Sequence, residues 1–387
     1  SPHLPLKGEI PSGSIKRFLE NLLPEGKGLE ALTHFHRISK NNIFALIQAI
    51  GFETAGALNF GNIDDSSVPL FRPISKMELE ERIDTIEEQS IIIWDQKQRL
   101  SLAGVQEKLP VMIKNGEIGL ADGALSSTHI LKFQTQRYMH IVANEYFCMS
   151  LAKSIGLPVA NVALQRFGVH PVLVVERFDR RLEDDTITRL HVIDGCQILD
   201  LPSSYKYERN FGSGRDVKEI REGVSFRKLF EAANKCQVPA KAKLQLLEWS
   251  IFNLIIGNSD AHGKNISFFV SHSGYSVAPH YDILSVLMHE GIDHELAMSF
   301  GDTFDPGEIK GYPLREFAEE IDLPPKLVSD RINRLCKKVL QALEKDTISD
   351  GFFNSHEKEF VQHLSNLMKR RAEELSLSAE EMLKVSW

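Results

Sequence analysis

The sequence predicts an α+β fold of two lobes, a mixed α/β lobe first and a mainly helical lobe second. Three observations carry this expectation. A chain of 387 residues, 42% hydrophobic and 25% charged, has a globular composition and the length of two domains at roughly 100 to 200 residues each. Between residues 100 and 178, short β-branched and aromatic runs alternate with turn signals, as in an antiparallel sheet. Beyond about residue 225, apolar residues recur at helical spacing. The sequence has neither internal repeats nor low-complexity tracts.

In chain order, Ile15, Phe18, Leu19 and Leu22 make one helical stripe and Ile43, Leu46, Ile47 and Ile50 another, with Pro24-Glu25-Gly26 breaking the pattern between them. Ser75 caps a helix whose apolar side is Leu79, Ile83 and Ile86. Residues 109–113 and 128–133 read as strands, and Asn115-Gly116 favours a type I′ hairpin because both residues tolerate positive φ. Val142, Tyr146, Met149, Leu151 and Ile155 return to helical spacing, closed by Gly156 and Pro158, and residues 172–178 form a further strand. In the second lobe, helices through Leu244 to Ile255, Val328 to Leu343 and Phe360 to Leu375 surround a strand pair, 266–270 and 275–282, joined by Ser273-Gly274.

Charge and cysteine usage narrow the function. Lys and Arg number 45 against 53 Asp and Glu, a net charge of −8, whereas nucleic-acid binding by counterion release calls for a basic excess. No window approaches the run of about 18 apolar residues that crosses a bilayer, so a cytoplasmic protein with no membrane partner is expected. Cys148, Cys196, Cys236 and Cys336 are nowhere in CxxC spacing and read as reduced structural cysteines. The opening Ser1-Pro2-His3-Leu4 has no basic-then-apolar leader, and the native start is expected to lie upstream.

The densest polar segment is Asn258-Ser259-Asp260-Ala261-His262-Gly263-Lys264-Asn265, between an apolar helix and a strand. Phosphoryl transfer needs a carboxylate to orient or accept the proton of the attacking hydroxyl, and a neutral oxygen ligand for Mg²⁺ at a fixed distance from it. Asp260 and Asn265 supply that pair at the five-residue separation of the protein-kinase catalytic loop, and the following strand leads to Tyr281-Asp282, a second carboxylate for the metal. The alternative is that Asp260 and Asn265 merely cap turns. Against it, the other parts of a kinase stand upstream in order: a phosphate loop at Ser101-Leu102-Ala103-Gly104-Val105-Gln106-Glu107-Lys108, a strand lysine at Lys132, a helix glutamate at Glu145 to pair with it, and a hinge at Glu176-Arg177-Phe178. Each is weak alone; their order carries the signal.

These segments, with Val175-Glu176-Arg177-Phe178-Asp179-Arg180-Arg181, Leu201-Pro202-Ser203-Ser204-Tyr205-Lys206-Tyr207-Glu208 and Leu19-Glu20-Asn21-Leu22-Leu23-Pro24-Glu25, resemble the HipA toxin kinases over nearly the whole chain. The resemblance implies a two-lobed protein-kinase-like fold in three segments: 1–99 an N-terminal subdomain with a truncated start, 100–178 an N-lobe-like segment with phosphate loop and hinge, and 179–387 a helical C-terminal kinase lobe with the catalytic loop. It implies a bacterial serine/threonine kinase, the toxin of a type II toxin–antitoxin pair. This enzyme would use ATP and Mg²⁺ to phosphorylate a serine of a host protein, with aminoacyl-tRNA synthetases as the family precedent, and its own Ser101, causing growth arrest.

Residue by residue, the resemblance makes Asp260 the catalytic carboxylate, Lys132 the phosphate contact paired with Glu145, and Asn265 and Asp282 the Mg²⁺ ligands. The backbone of Ala103, Gly104, Val105, Gln106, Glu107 and Lys108 would hold phosphates. Glu176, Arg177 and Phe178 would meet adenine, with His262, Gly263, Lys264 and Tyr281 also at the nucleotide. The implied partners are a small HipB-like helix-turn-helix antitoxin, operator DNA through the antitoxin complex, and the protein substrate. The family's strand-rich opening, expected before Pro5-Leu6, would belong to an upstream stretch or to a separate small protein, as in three-component relatives. Residues 134–143 are shorter than the corresponding family loop.

A different class of reading is a catalytically weak nucleotide-binding module acting as transcriptional corepressor with the antitoxin. Such a protein is expected to have lost one of Lys132, Asp260, Asn265 or Asp282, and all four are present. A metal-dependent hydrolase using His262 and Asp260 lacks enough ligands. His289 and His294 are five apart with Gly291 between them, not the i, i+4 pair of HExxH. His34-Phe35-His36 has no Cys or acidic company, and Gly212-Ser213-Gly214-Arg215 lacks the strand-to-helix setting of a dinucleotide loop and reads as a mobile connector.

Overall fold

The computed structural model describes residues 2–5, 7–51, 53–60, 69–95, 97–99, 106–123, 125–183, 186–289, 291–345 and 351–385. Ser101, Ala103, Gly104 and Val105 of the expected phosphate loop lie outside the described residues. The chain forms two compact units, one of Ser1–Val142 with Ala160–Ile193, the other of Ala143–Val159 with Asp194–Trp387. The units are interleaved in sequence, whereas the segments drawn from the sequence run consecutively.

In the first unit, a six-stranded antiparallel sheet runs in the order Leu70–Pro73, Glu117–Asp122, Lys108–Lys114, His129–Phe133, His170–Glu176, Val162–Phe167. The hairpin at Asn115-Gly116 forms as expected, with φ of 52° and 81° at its two central residues. Leu109, Val111, Leu131, Phe133, Val172 and Val174 alternate along three neighbouring strands and join Leu79, Ile83 and Trp94 in one core. The helix Lys76–Asp84 begins at Ser75, whose Oγ accepts from the Glu78 N–H at 3.1 Å. The helices Ser12–Glu20, Gly26–His36 and Ile43–Ile50 precede the sheet.

The second unit is mainly helical: Ile141–Ser154, Phe226–Ala233, Pro239–Ile256, Gly311–Glu320, Pro325–Glu344 and Ser355–Glu381 are its main helices among the described residues. Phe226, Phe230, Trp249, Phe300 and Phe317 meet largely edge to face at its centre. The expected strand pair is present as Ser267–Ser271 and Gly274–Val277, directly after the polar loop, with the second strand ending at Val277 instead of reaching Asp282. All four cysteines are buried and outside any disulfide. No helix among the described residues is long and apolar enough to cross a membrane.

Candidate active site

In the second unit, the helix Pro239–Ile256 is buried through its last turns and stops where Gly257 takes φ +72°. Asn258 then folds the chain back. Its N–H donates to the Asn253 carbonyl at 2.9 Å, its Nδ2 to Asn253 Oδ1 at 2.8 Å, and its Oδ1 accepts from the Asp260 N–H at 3.2 Å. The turn is therefore organised by Asn258, and the Asp260 side chain stays exposed.

The Asp260 carbonyl accepts twice, from the His262 N–H at 2.8 Å and from Asn265 Nδ2 at 2.9 Å. Two donors on one atom fix the aspartate's backbone against Asn265. With its amide nitrogen engaged, Asn265 offers its Oδ1 as the kind of neutral oxygen that Mg²⁺ accepts. The Gly263 N–H donates to the Lys206 carbonyl at 2.9 Å, and a Cβ at Gly263 would stand 2.5 Å from Val224, so only glycine permits this approach.

Lys264 and Tyr281 brace the loop. The Lys264 ammonium pairs with Asp194 at 2.7 Å, and the Tyr281 hydroxyl donates to the Lys264 carbonyl at 2.6 Å and meets Ser267 Oγ at 2.8 Å. Asp282 sits at φ +58°, a left-handed conformation that Asp tolerates better than most side chains and that persists only where the surroundings enforce it. Burial, with the charges of Lys206 and Lys264, pushes His262 well below its usual value against the opposing pull of Asp282, so the imidazole is neutral. Its Nδ1 is buried with no hydrogen-bond partner among the described residues, and such an atom calls for a ligand oxygen or water. Among the described residues no three of His, Cys, Asp or Glu gather into a metal cage. A Mg²⁺ held by one or two protein oxygens together with substrate phosphates needs none. The residues present thus fit a phosphate-bound Mg²⁺.

Glu145 is buried in the helix Ile141–Ser154, and its neighbour Asn144 exchanges two hydrogen bonds with Ser285, Nδ2 to the carbonyl and N–H to Oδ1, both 2.9 Å. This ties the Glu145 helix to the chain three residues beyond Asp282.

In the first unit, Lys132 stands directly opposite Lys108 on one neighbouring strand and Leu173 on the other, on the sheet face away from the Leu109, Leu131 and Val174 core. Both lysines are buried, at 8% and 7% exposure. The end of the expected phosphate loop is anchored nearby: Gln106 Nε2 donates to the Phe133 carbonyl at 3.2 Å, and the Phe133 N–H to the Glu107 carbonyl at 3.0 Å. At the hinge, the Glu176 N–H donates to the Asn161 carbonyl and the Arg177 N–H to the Thr128 carbonyl, each at 2.9 Å, and Phe178 follows. The Arg177 guanidinium turns into a buried ion network with Asp179 rather than toward solvent.

Sequence reasoning gave no role to Tyr207, Lys206, Asp194 or Asn144. Tyr207 donates its hydroxyl to Asp260 Oδ1 at 2.6 Å across 53 residues of chain, a separation that leaves no spacing signal.

Known proteins resemble this chain over nearly its whole length. The family model for the HipA-like C-terminal domain matches residues 100–343, and that for the HipA N-terminal domain matches residues 1–61. The chain is 45% identical to the serine/threonine-protein kinase toxin HipA of Shewanella oneidensis over 379 residues, covering 96% of this chain and 86% of that one. It is 32% identical to the putative kinase Y4mE of Sinorhizobium fredii, covering 97% and 90%. Among solved structures, the Shewanella oneidensis complex of HipA, HipB and its operator DNA superimposes with a TM-score of 0.92 at 44% identity, covering 100% of this chain and 91% of that chain.

Proposed function

Since the chain belongs to the HipA family and is a serine/threonine-protein kinase of the toxin type, we propose that Asp260 receives the proton of an acceptor serine while the γ-phosphate of ATP is transferred to it. In the second unit, Asn265 and Asp282 would hold Mg²⁺, which when bound neutralises phosphate charge. His262, kept neutral, donates a ring N–H to a phosphate oxygen. Asn144 keeps the Glu145 helix in register with Asp282. In the first unit, Lys132 and the backbone of residues 103–108 would hold phosphates, and the hinge Glu176–Phe178 would read adenine through its main chain.

The protein acts in the cytoplasm on a serine of a host protein, with an aminoacyl-tRNA synthetase as the family precedent. It also acts on its own Ser101, where an added charge of about −1.5 to −2 would repel the phosphates of ATP and switch the enzyme off. A small helix-turn-helix antitoxin restrains it, and operator DNA binds to the pair, as the HipA, HipB and operator assembly of Shewanella oneidensis suggests.

The observation that supports this reading is the Asp260 carbonyl holding both the His262 N–H and Asn265 Nδ2, which ties the backbone of Asp260 to the side chain of Asn265. Asp260→Asn tests it. The near-isosteric change should cut transfer of labelled phosphate from γ-labelled ATP to proteins of a bacterial lysate by on the order of 10² or more, and transfer at the wild-type rate would refute the assignment.

A further inference from the structure

A hydroxyl of the protein itself is bonded to the Asp260 carboxylate. Tyr207 Oη lies 2.6 Å from Asp260 Oδ1, and since a carboxylate can only accept, the tyrosine is the donor, at the short distance of a charge-assisted bond. The main chain on either side of Tyr207 is fixed. The Lys206 carbonyl receives the Gly263 N–H of the catalytic loop at 2.9 Å. The Glu208 N–H donates to the Ala297 carbonyl at 2.9 Å, and the Glu208 carboxylate is buried against Arg221 and the Ser299 N–H. The Tyr207 ring stands edge-on to His262, centroids 5.2 Å apart at 88°, with Lys206 Nζ 5.3 Å from its centroid. A side chain that is 37% exposed is thus aimed at one oxygen by a rigid backbone and a buried neighbour.

An exposed aspartate rotates broadly about its last torsion, yet a general base must present one oxygen to one proton. We propose that Tyr207 is the positioning residue for Asp260: by holding Oδ1 it fixes the plane of the carboxylate that meets the acceptor serine. This rests on the reading of Asp260 given above. A base oriented by a third group is a recurrent arrangement, and here a phenol from a distant segment fills that role.

Tyr207→Phe deletes the hydroxyl and keeps the ring against His262. With γ-labelled ATP and a bacterial lysate as the acceptor pool, the maximal transfer rate should fall roughly 10- to 100-fold, the usual cost of losing a group that orients a functional side chain. The lysate concentration at half-maximal rate, the calorimetric affinity for a non-hydrolysable ATP analogue and the thermal midpoint should all stay at wild-type values. A wild-type maximal rate overturns the inference. So does a lower half-maximal lysate concentration at unchanged maximal rate, which would make Tyr207 a place-holder displaced by the acceptor. A loss shared with ATP affinity or thermal midpoint would mean a merely structural role, and phosphate mapped to Tyr207 would make it an acceptor; either also overturns it. Asp260→Asn run in parallel separates the two levels. If it keeps its rate, the reading of Asp260 falls and the inference with it; if it is inactive while Tyr207→Phe is not, the inference alone falls.

Discussion

Asp282, the carboxylate proposed for the metal, also has a left-handed backbone at φ +58°. Asn keeps the conformational tolerance and loses the charge; Ala loses both, since a Cβ without a local hydrogen-bonding group is strained there by roughly 1 to 2 kcal/mol. Asp282→Asn should therefore retain the wild-type thermal midpoint while weakening Mg²⁺–ATP binding, and Asp282→Ala should lower the midpoint as well. Asp260→Asn should spare nucleotide affinity, because that residue is assigned to the hydroxyl rather than the metal. Calorimetric titration with a non-hydrolysable analogue, beside thermal melts, checks all three; equal affinity loss in the Asp260 and Asp282 variants would undo the division of roles. What was legible at this scale is what a short stretch of backbone enforces. Asp260 and Asn265 had to be read together because five residues of tight turn bring the amide of one to the carbonyl of the other. Tyr207 was not legible because the contact depends on two segments converging in space, and the Lys264–Asp194 pair is equally remote in sequence.

The strand His170–Glu176, which leads into the proposed hinge, runs into a buried network that joins elements far apart in sequence. Asp179 Oδ2 accepts from Arg177, from Arg180 and from the Gly56 N–H, each within 2.8 to 2.9 Å, while Arg180 also donates to the Thr54 and Gly56 carbonyls. Arg177 reaches Ser127 at 2.9 Å, whose N–H and hydroxyl in turn donate to Glu53. Segment 53–56 is thereby locked to the residues that follow the hinge. Although burial alone would raise it, the Arg177 and Arg180 guanidiniums hold the Asp179 carboxyl down at about 2 from an ordinary 3.8. The folded state therefore binds fewer protons than the unfolded one, and the stabilisation, on the order of 2 kcal/mol, is complete above about pH 4 and lost as pH falls toward 2. Asp179→Asn leaves two buried guanidiniums short of a counter-charge and should cost about 3 kcal/mol at neutral pH, with a flatter loss of stability between pH 4 and 2. Denaturant titrations across that range test this; a variant with the wild-type pH slope would remove Asp179 as its source. Element prediction succeeded where period and punctuation were strong, as at Ser75, at Asn115-Gly116 and in the helix beginning at Ile141. The edge strands Leu70–Pro73 and Val162–Phe167 were missed because one ends in proline and the other is half exposed along its length, so neither carries the apolar alternation of a core strand.

At the scale of the whole molecule, the net charge of −8 bears on which partner reads DNA. Affinity for a duplex comes largely from neutralising phosphates and releasing their counterions, and a chain with 53 acidic against 45 basic residues brings no overall basic excess to that exchange. In the proposed complex, a partner with a recognition helix and a basic face would supply what is missing, and the kinase would add mass and contacts without supplying sequence readout. The isolated chain should give no sequence-dependent retention of operator-length DNA at roughly 150 mM salt, where exposed charges are screened beyond about 8 Å. With its antitoxin added, retention should appear, depend on the operator sequence, and weaken steeply as salt rises, the log–log slope reporting the phosphates that the antitoxin engages. Electrophoretic retardation of operator and scrambled duplexes over a salt series measures each of these. Sequence-specific retention by the chain alone would overturn the allocation and require a basic surface that the composition conceals. Retention by the complex with the same salt slope as the antitoxin alone would place every phosphate contact on the antitoxin.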